Sequence, residues 1–365
     1  MTDEITLTVD GLIFGGWKEF RFRRALDECT SAFSLSLSER WAGSDVRRAV
    51  TKGSAYQLAV GGEVIAAGGI DDVAISYDTE LHDVVVTGRD WLADIVDCAA
   101  SPNGPYEFRN LRLDEIAQRL LQPYGLAVTT QCDVGAPFAR FAIQPGETVW
   151  TAIERAMRFR AVLAHSDASR TLIFTRAGLG GDGGAIALGR NAKNATGFFS
   201  MQGCFSEIIL RSQAEASDGL DVASEMQASA AAHDELVPRY RPTVIVGENA
   251  AQGQSLKERA DWHKAVARGR ATSASYTLAG WRNDAGKLWQ PNTLVQVEDD
   301  YLNVRETLVA TAVELVLTVE GGKEATVDVA PPSAYSVIAE AEETEADAAG
   351  SGGGGTAYDW SKVWP

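Results

Sequence analysis

Apolar and polar residues alternate with a period of two early in the chain: Phe33, Leu35 and Leu37 interleave with Ser34, Ser36 and Ser38. Successive side chains of a strand point to opposite faces, so this pattern predicts a half-buried strand with one wet face. Further apolar runs at residues 56–60, 64–67 and 84–86 are separated by polar turns, with Gly61-Gly62 in the position of a tight hairpin between the first two. Residues 1–90 therefore read as a small antiparallel sheet or barrel. The valine-rich strand then stops at Gly88 and turns into Arg89-Asp90-Trp91-Leu92-Ala93-Asp94-Ile95-Val96-Asp97-Cys98, an acidic segment with an apolar face.

Beyond it the period changes to that of a helix. Leu113, Ile116, Ala117, Leu120 and Leu121 line one helical face, with Asn110 as the expected cap and Pro123 and Gly125 as the stop. Val149, Ala152, Ile153, Ala156 and Met157 repeat those offsets after Pro145-Gly146, and the run Thr171-Leu172-Ile173-Phe174 predicts a closing strand. Residues 91–178 are expected to form a separate α/β domain.

A glycine-rich stretch at residues 179–184 opens a second strand-dominated region with apolar runs at 205–210, 243–246, 273–278 and 308–319. Ser255 and Glu258 have capping-box spacing and predict an inserted helix. Residues 215–236, rich in Ala, Ser and acidic groups, read as a surface excursion. The fold class is thus α+β and mainly β, with a second barrel-like domain over residues 179–334. From 335 to 365 the chain passes through Glu340, Glu342, Glu343, Glu345 and Asp347 into four glycines, which is linker composition. Trp360 and Trp364 beyond it mark either a docking peptide or plain disorder.

Size and charge narrow the function. At 365 residues, two or three domains are expected. A formal charge of -17 argues against tight nucleic-acid binding, which draws on Lys and Arg displacing counterions. Cys29, Cys98, Cys132 and Cys204 are scattered, without zinc or redox spacing, and read as buried free thiols. The N-terminus has neither a basic start nor an apolar core, and no apolar run approaches the ~20 residues that span a bilayer, so assembly in a bacterial cytoplasm fits.

Candidate chemistry is sparse. His82, His165, His233 and His263 join no nucleophile or metal-ligand set, and no G-x-S-x-G, P-loop or H-E-x-x-H occurs. Gly178-Leu179-Gly180-Gly181-Asp182-Gly183 satisfies G-x-G-x-x-G, yet Ala185-Ile186-Ala187-Leu188 reads as a strand where a pyrophosphate needs a helix N-terminus. It is a boundary loop. Asp71-Asp72 and Asp299-Asp300 fall where turns are expected, and neighbouring side chains on extended backbone diverge, so neither pair converges on a cation. Gln144-Pro145-Gly146-Glu147-Thr148-Val149-Trp150 is similar to the opening of a LysM module, a peptidoglycan-binding unit, although its second helix is missing. No catalytic, cofactor-binding or metal-binding residue is assigned; cofactors are expected to be none.

Two blocks carry a resemblance. The segment Val86-Thr87-Gly88 through Cys98 and the segment Gly280-Trp281-Arg282-Asn283-Asp284-Ala285-Gly286-Lys287-Leu288-Trp289-Gln290-Pro291-Asn292 resemble the central baseplate hub family of Mu-like contractile phage tails. Phe33 to Trp41 and Arg259-Ala260-Asp261-Trp262 match that family in the same order, and the resemblance spans nearly the whole chain. The acidic end from Glu340 onward has no place in the pattern.

The resemblance implies a non-enzymatic homotrimer whose subunits each supply two related barrel-like domains to a pseudo-sixfold ring. Implied partners are the sixfold tail tube protein, the threefold central spike protein and the baseplate wedge proteins. DNA would pass through the channel without specific binding, repelled by an acidic lumen. The T-even hub and the N-terminal hub of type VI secretion spike proteins share that plan. The alternative is a tail-associated peptidoglycan-binding protein using residues 141–165, and a tail-borne murein hydrolase stands third.

Overall fold

A computed structural model describes residues 3–38, 50–78, 82–212, 229–247 and 256–337. Ser255, the Arg40-Trp41 pair and the acidic linker with its Trp peptide, residues 338–365, lie outside the described residues.

The first strand-rich region contains β1 (Ile5–Val9), β2 (Leu12–Phe14), β3 (Glu19–Ala25), β4 (Ala32–Ser38), β5 (Ala55–Val60), β6 (Glu63–Tyr77) and β7 (His82–Asp90). The alternation in β4 is as expected: Phe33 and Leu35 are buried between half-buried serines. Gly61 and Gly62, at φ 59° and 84°, close the two-residue turn that pairs Val60 with Glu63. Two positive φ angles in succession are what a tight hairpin turn demands, and glycine supplies them without steric cost. The strand does not stop at Gly88. β7 continues to Asp90, with Gly88 paired to Phe33 and Ile70. Glycine is needed there because a Cβ would lie 2.6 Å from the Gly69 carbonyl oxygen and 2.8 Å from the Phe33 ring.

The middle region follows as α1 (Ala93–Asp97), β8 (Glu107–Leu111), α2 (Leu113–Leu121), β9 (Ala127–Thr130), β10 (Phe138–Ala142), α3 (Val149–Arg158), β11 (Leu163–Ser166) and β12 (Thr171–Thr175). Strand β12 pairs antiparallel with β11 and parallel with β9, and β8 pairs with β10. The five apolar positions expected on each of α2 and α3 are all buried in one core with Phe138, Phe141, Leu172 and Phe174. The expected cap is displaced, however. Asn110 sits in β8 with φ 53°, and Arg112 is the capping residue before α2, its backbone N–H donating to the Glu115 carboxylate at 2.7 Å. Helix α3 is capped by Thr148, whose hydroxyl accepts from the Thr151 N–H at 3.2 Å.

The remainder contains β13 (Asp182–Ala187), β14 (Ala192–Phe199), β15 (Glu207–Ser212), β16 (Ser229–His233), β17 (Pro242–Gly247), α4 (Leu256–Arg270), β18 (Thr272–Ala279), β19 (Leu294–Asp299), β20 (Val304–Thr318) and β21 (Gly322–Ala330). Residues 215–236 are not wholly a surface excursion, because β16 pairs along β15 and buries Ala232 beneath α4 with Ile208, Leu210 and Ala260.

The two strand-rich regions share one sheet, in the order β14-β18-β21-β20-β3-β4-β7-β6-β5-β1-β2, with β19 beside β20 and β13 beside β19. The fold is mainly β. Strand β20 pairs with β3 through Leu315↔Phe22 and Leu317↔Phe20, and a single core holds Phe20, Phe22, Leu58, Tyr276, Trp281, Val297 and Val327. Among the described residues no ring of strands closes within the chain, because β14 and β2 end the path without pairing to each other.

Candidate functional site

Both blocks singled out in the sequence lie on the seam between the sheet and the middle domain. Asp90, the last residue of β7, is 2% exposed and accepts from five donors. These are Thr30 Oγ1, Ser31 N and Ser31 Oγ at 2.7 Å each, Ser166 Oγ at 2.6 Å and Leu92 N at 3.0 Å. Because Ser166 belongs to β11, one carboxylate fastens the sheet to the middle domain. Carboxylate oxygens accept hydrogen bonds more strongly than neutral groups, and inside a protein such bonds are poorly screened.

Beside it Arg24 reaches inward from β3, donating through Nη2 to the Ile65 carbonyl at 2.6 Å and lying 5.3 Å from the Phe22 ring. Burial lowers its pKa, opposed by the nearby charges of Asp90 and Asp167. His165 is lowered too, mainly by burial. Arg89, just before Asp90, binds Asp71 at 2.9 Å and Asp97 at 2.8 Å, and these hydrogen bonds raise its pKa while holding the Asp97 carboxyl below its ordinary range.

The second block closes the other side of the seam. Trp281 is fully buried, donates through Nε1 to the Val316 carbonyl at 2.9 Å and meets Phe20 edge-on at 5.5 Å. Arg282 binds Asp3 at 2.7 Å and Glu63 at 3.2 Å, tying the block to the first residues of the chain and to the β5–β6 hairpin. At its end Asn292 is 1% exposed with φ 65°. Its side chain accepts from Gly178 N at 2.7 Å and donates to Thr175 Oγ1 at 3.0 Å, while its own N–H donates to the Ala310 carbonyl at 2.7 Å. Asn292 thus joins the end of the middle domain to β20. Between the blocks lies a cleft of about 540 Å³ lined by Arg24, His165, Asp167, Arg282, Lys287 and Asn292.

The weaker candidates resolve individually. In the glycine loop, a Cβ at Gly180 would lie 2.7 Å from the Asn292 oxygen and one at Gly183 2.5 Å from Thr293 Oγ1, so these glycines serve close packing at the seam. Asp71 and Asp72 are not in a turn; they sit within β6 at a bulge, where Asp71 serves Arg89. Asp299 ends β19 and accepts from the N–H groups of Tyr301 and Leu302 at 2.9 Å, whereas Asp300 binds Arg305 at 2.7 Å. Asp299 also helps burial push the Tyr276 phenol up to about 12.

The four thiols are free; Cys29 and Cys204 are buried as expected, whereas Cys132 is half-buried and Cys98 is exposed because it follows the short α1 at the rim of the middle domain. His233 is exposed near Glu207 at 3.7 Å, and His263 meets Trp262 edge-on with ring centres 4.7 Å apart. The LysM-like segment places a single helix, α3, between β10 and β11. Arg24 and Ser166 were not anticipated, and Asn292 was singled out only as the end of the second block. Arg24 left a trace in the sequence as a charge in phase with inward Phe20 and Phe22.

The outer surface carries apolar groups at particular places. Phe198 and Phe199 on β14 are 58% and 52% exposed, and Ile75 and Tyr77 on β6 are 39% and 79% exposed. Large apolar side chains at open strand edges are sites where another chain can add.

The chain is similar to known proteins along most of its length. Residues 4–90 match the N-terminal domain described as Mu phage baseplate assembly protein GpP-like, residues 92–176 the second domain of baseplate hub protein gp44-like, and residues 252–338 the fourth domain of GpP. Baseplate hub protein gp44 of Escherichia phage Mu is 28% identical over 362 residues, covering 97% of this chain and 94% of the phage protein. The 43 kDa tail protein of prophage MuSo2 from Shewanella oneidensis superposes with a TM-score of 0.79 at 31% identity, covering 93% of this chain and 100% of that one. A tail protein from Neisseria meningitidis has the same fold, with a TM-score of 0.74 at 17% identity over 93% of this chain and all of the other.

Proposed function

This chain belongs to the Mu-like phage baseplate hub family, with a structural role in the tail, and on that premise we propose that three copies form the ring joining the tail tube to the central spike. The observation that carries the proposal is the β20–β3 pairing, which sets two strand-rich regions side by side in one sheet. A subunit that presents two strand modules edge to edge, repeated three times, offers six units to a sixfold tube and keeps threefold symmetry toward a spike.

In this reading residues 1–90 and 179–334 are the barrel-like ring modules, residues 91–178 an α/β domain, and residues 335–365 an acidic Gly-rich linker with a Trp-containing C-terminal peptide. The tail tube, central spike and wedge proteins are the partners, and the virion baseplate is the destination after assembly in the bacterial cytoplasm. The formal charge of -17 supports a lumen that repels DNA phosphates and lets the genome slide.

Low-resolution imaging of the purified chain tests the proposal. A threefold particle with a near-sixfold ring on one face is the expected image, and a particle without a central hole would overturn it. Binding to purified peptidoglycan separates the rival: the ring reading needs no sugar affinity, whereas a cell-wall-binding protein sediments with the polymer.

A further inference from the structure

Two buried donors that have no hydrogen-bond partner among the described residues, Arg24 Nε and Trp289 Nε1, belong to side chains lining one cavity. It measures about 270 Å³ and adjoins the seam cleft, sharing Arg24, Asp167, Leu288, Gln290 and Pro291 with it. Arg24 is 8% exposed and Trp289 4%. Such a cavity belongs to a single copy of the chain and is independent of how copies assemble.

Arg24 is the less balanced of the two groups. A guanidinium carries several N–H donors, yet its one hydrogen bond runs from Nη2 to the Ile65 carbonyl at 2.6 Å, and it joins no ion pair among the described residues. Asp90 and Asp167 act on it electrostatically, but both are engaged elsewhere. Five donors hold Asp90. Asp167 accepts from Ser169 N at 2.7 Å, Ser169 Oγ at 2.5 Å and Thr171 N at 3.0 Å. A buried charge without a close partner is strongly unfavourable, so an anion beside Arg24 would be stabilising.

Most of the remaining wall is apolar, with Ile65, Leu288, Pro291, Val313 and Leu315 around the guanidinium and the Phe22 ring 5.3 Å from it. Apolar walls with a few polar groups that fix orientation are the usual form of a small-molecule site. One unpaired guanidinium matches one negative charge. A phosphate dianion would bring a second charge toward Asp90 and Asp167. A carboxylate brings a single charge in a plane that suits the guanidinium fork, and leaves an oxygen to accept from an indole N–H.

We propose that this cavity binds an apolar monocarboxylate, its carboxylate held by Arg24 and Trp289 and its apolar body set against Ile65, Leu288 and Val313. Two sources share that chemistry: a free acid, and the C-terminal carboxylate of a peptide that ends in an apolar residue.

Calorimetric titration of the full chain with phenylacetate tests the site, with phenylacetamide as the uncharged comparison of the same shape. Saturable binding of one phenylacetate per chain, about tenfold or more tighter than the amide, is the expected result. Trp289→Phe keeps an aromatic ring and removes the donor, and is expected to weaken phenylacetate about tenfold. Arg24→Gln is expected to abolish the preference for acid over amide. Circular dichroism checks folding first, and Trp289→Phe, the milder change, carries the test if Arg24→Gln does not fold. N-acetylphenylalanine places a peptide bond ahead of its carboxylate: tighter binding than phenylacetate assigns a peptide terminus, and weaker binding a free acid. No saturable binding of either acid, equal affinity for phenylacetate and phenylacetamide, or unchanged affinity in a folded Trp289→Phe chain overturns the site.

Discussion

Replacing Asp90 measures how firmly the seam is fastened. In Asp90→Ala the three hydroxyls of Thr30, Ser31 and Ser166 can rotate toward other acceptors, but the N–H groups of Ser31 and Leu92 are fixed by the backbone and lose their 2.7 and 3.0 Å partner. A buried donor left unpaired costs about 1–3 kcal/mol, so two of them set a loss of roughly 4 kcal/mol. Arg24 loses a nearby counter-charge as well, which adds to the cost.

Asp90→Asn keeps one carbonyl oxygen and is expected to lose about 2 kcal/mol, and Ser166→Ala, which removes one bond to a charged acceptor, about 1.5 kcal/mol. Urea unfolding followed by tryptophan fluorescence reads these differences from midpoint shifts at unchanged slope. Protein concentration is held constant, since association between copies contributes to apparent stability. An Asp90→Ala midpoint within ~0.5 kcal/mol of the parent, in the range of an ordinary surface substitution, would refute the reasoning.

Three further outcomes are expected. Glu147, 4% exposed at its side chain, holds Arg155 through two 3.0 Å bonds, so Glu147→Ala strands a buried guanidinium and is expected to cost about 3–5 kcal/mol by chemical denaturation, against much less for Glu147→Gln. Gly68→Ala would put a Cβ 1.9 Å from the Arg89 carbonyl oxygen; soluble yield should collapse, and a normally folded, equally stable variant would contradict the packing of β6 on β7. The hydrogen bond from Arg268 depresses the Asp234 carboxyl below its ordinary 3.8, so its contribution is full above that pH and is lost as pH falls through the lower folded value. Protection of β16 and α4 against hydrogen exchange, taken relative to the intrinsic amide rate at each pH, should therefore fall below about pH 4, and Arg268→Ala should remove that dependence.

Local patterns were readable where local chemistry decides them. Period-two alternation located β4, the glycine pair set the β5–β6 turn, and the apolar offsets named every buried position of α2 and α3 that had been expected. Asn110 misled because a good capping residue also tolerates positive φ, and the Glu115 contact to Arg112 moved the helix start two residues on. Gly88 looked like a stop, yet a strand keeps glycine where Phe33 crosses it. Strand β16 is rich in alanine, a poor strand former, and exists because β15 offers an edge and α4 a cover.

The seam was hidden for a different reason. Asp90 meets Ser166 across 76 positions and Asn292 meets Thr175 across 117, so no local window holds both partners. The family resemblance pointed at both blocks without saying what Asp90 or Asn292 does there.

The distance between β3 and β20 along the chain also sets a schedule for synthesis. Arg21 waits for Glu314, 293 positions later. At roughly 5–20 residues per second, the nascent chain carries an unsatisfied β3 for about 15–60 s before the ribosome delivers its mate. During that interval Glu19, Arg21 and Arg23, all on the wet side of the strand, act as charged gatekeepers against premature pairing with other nascent chains.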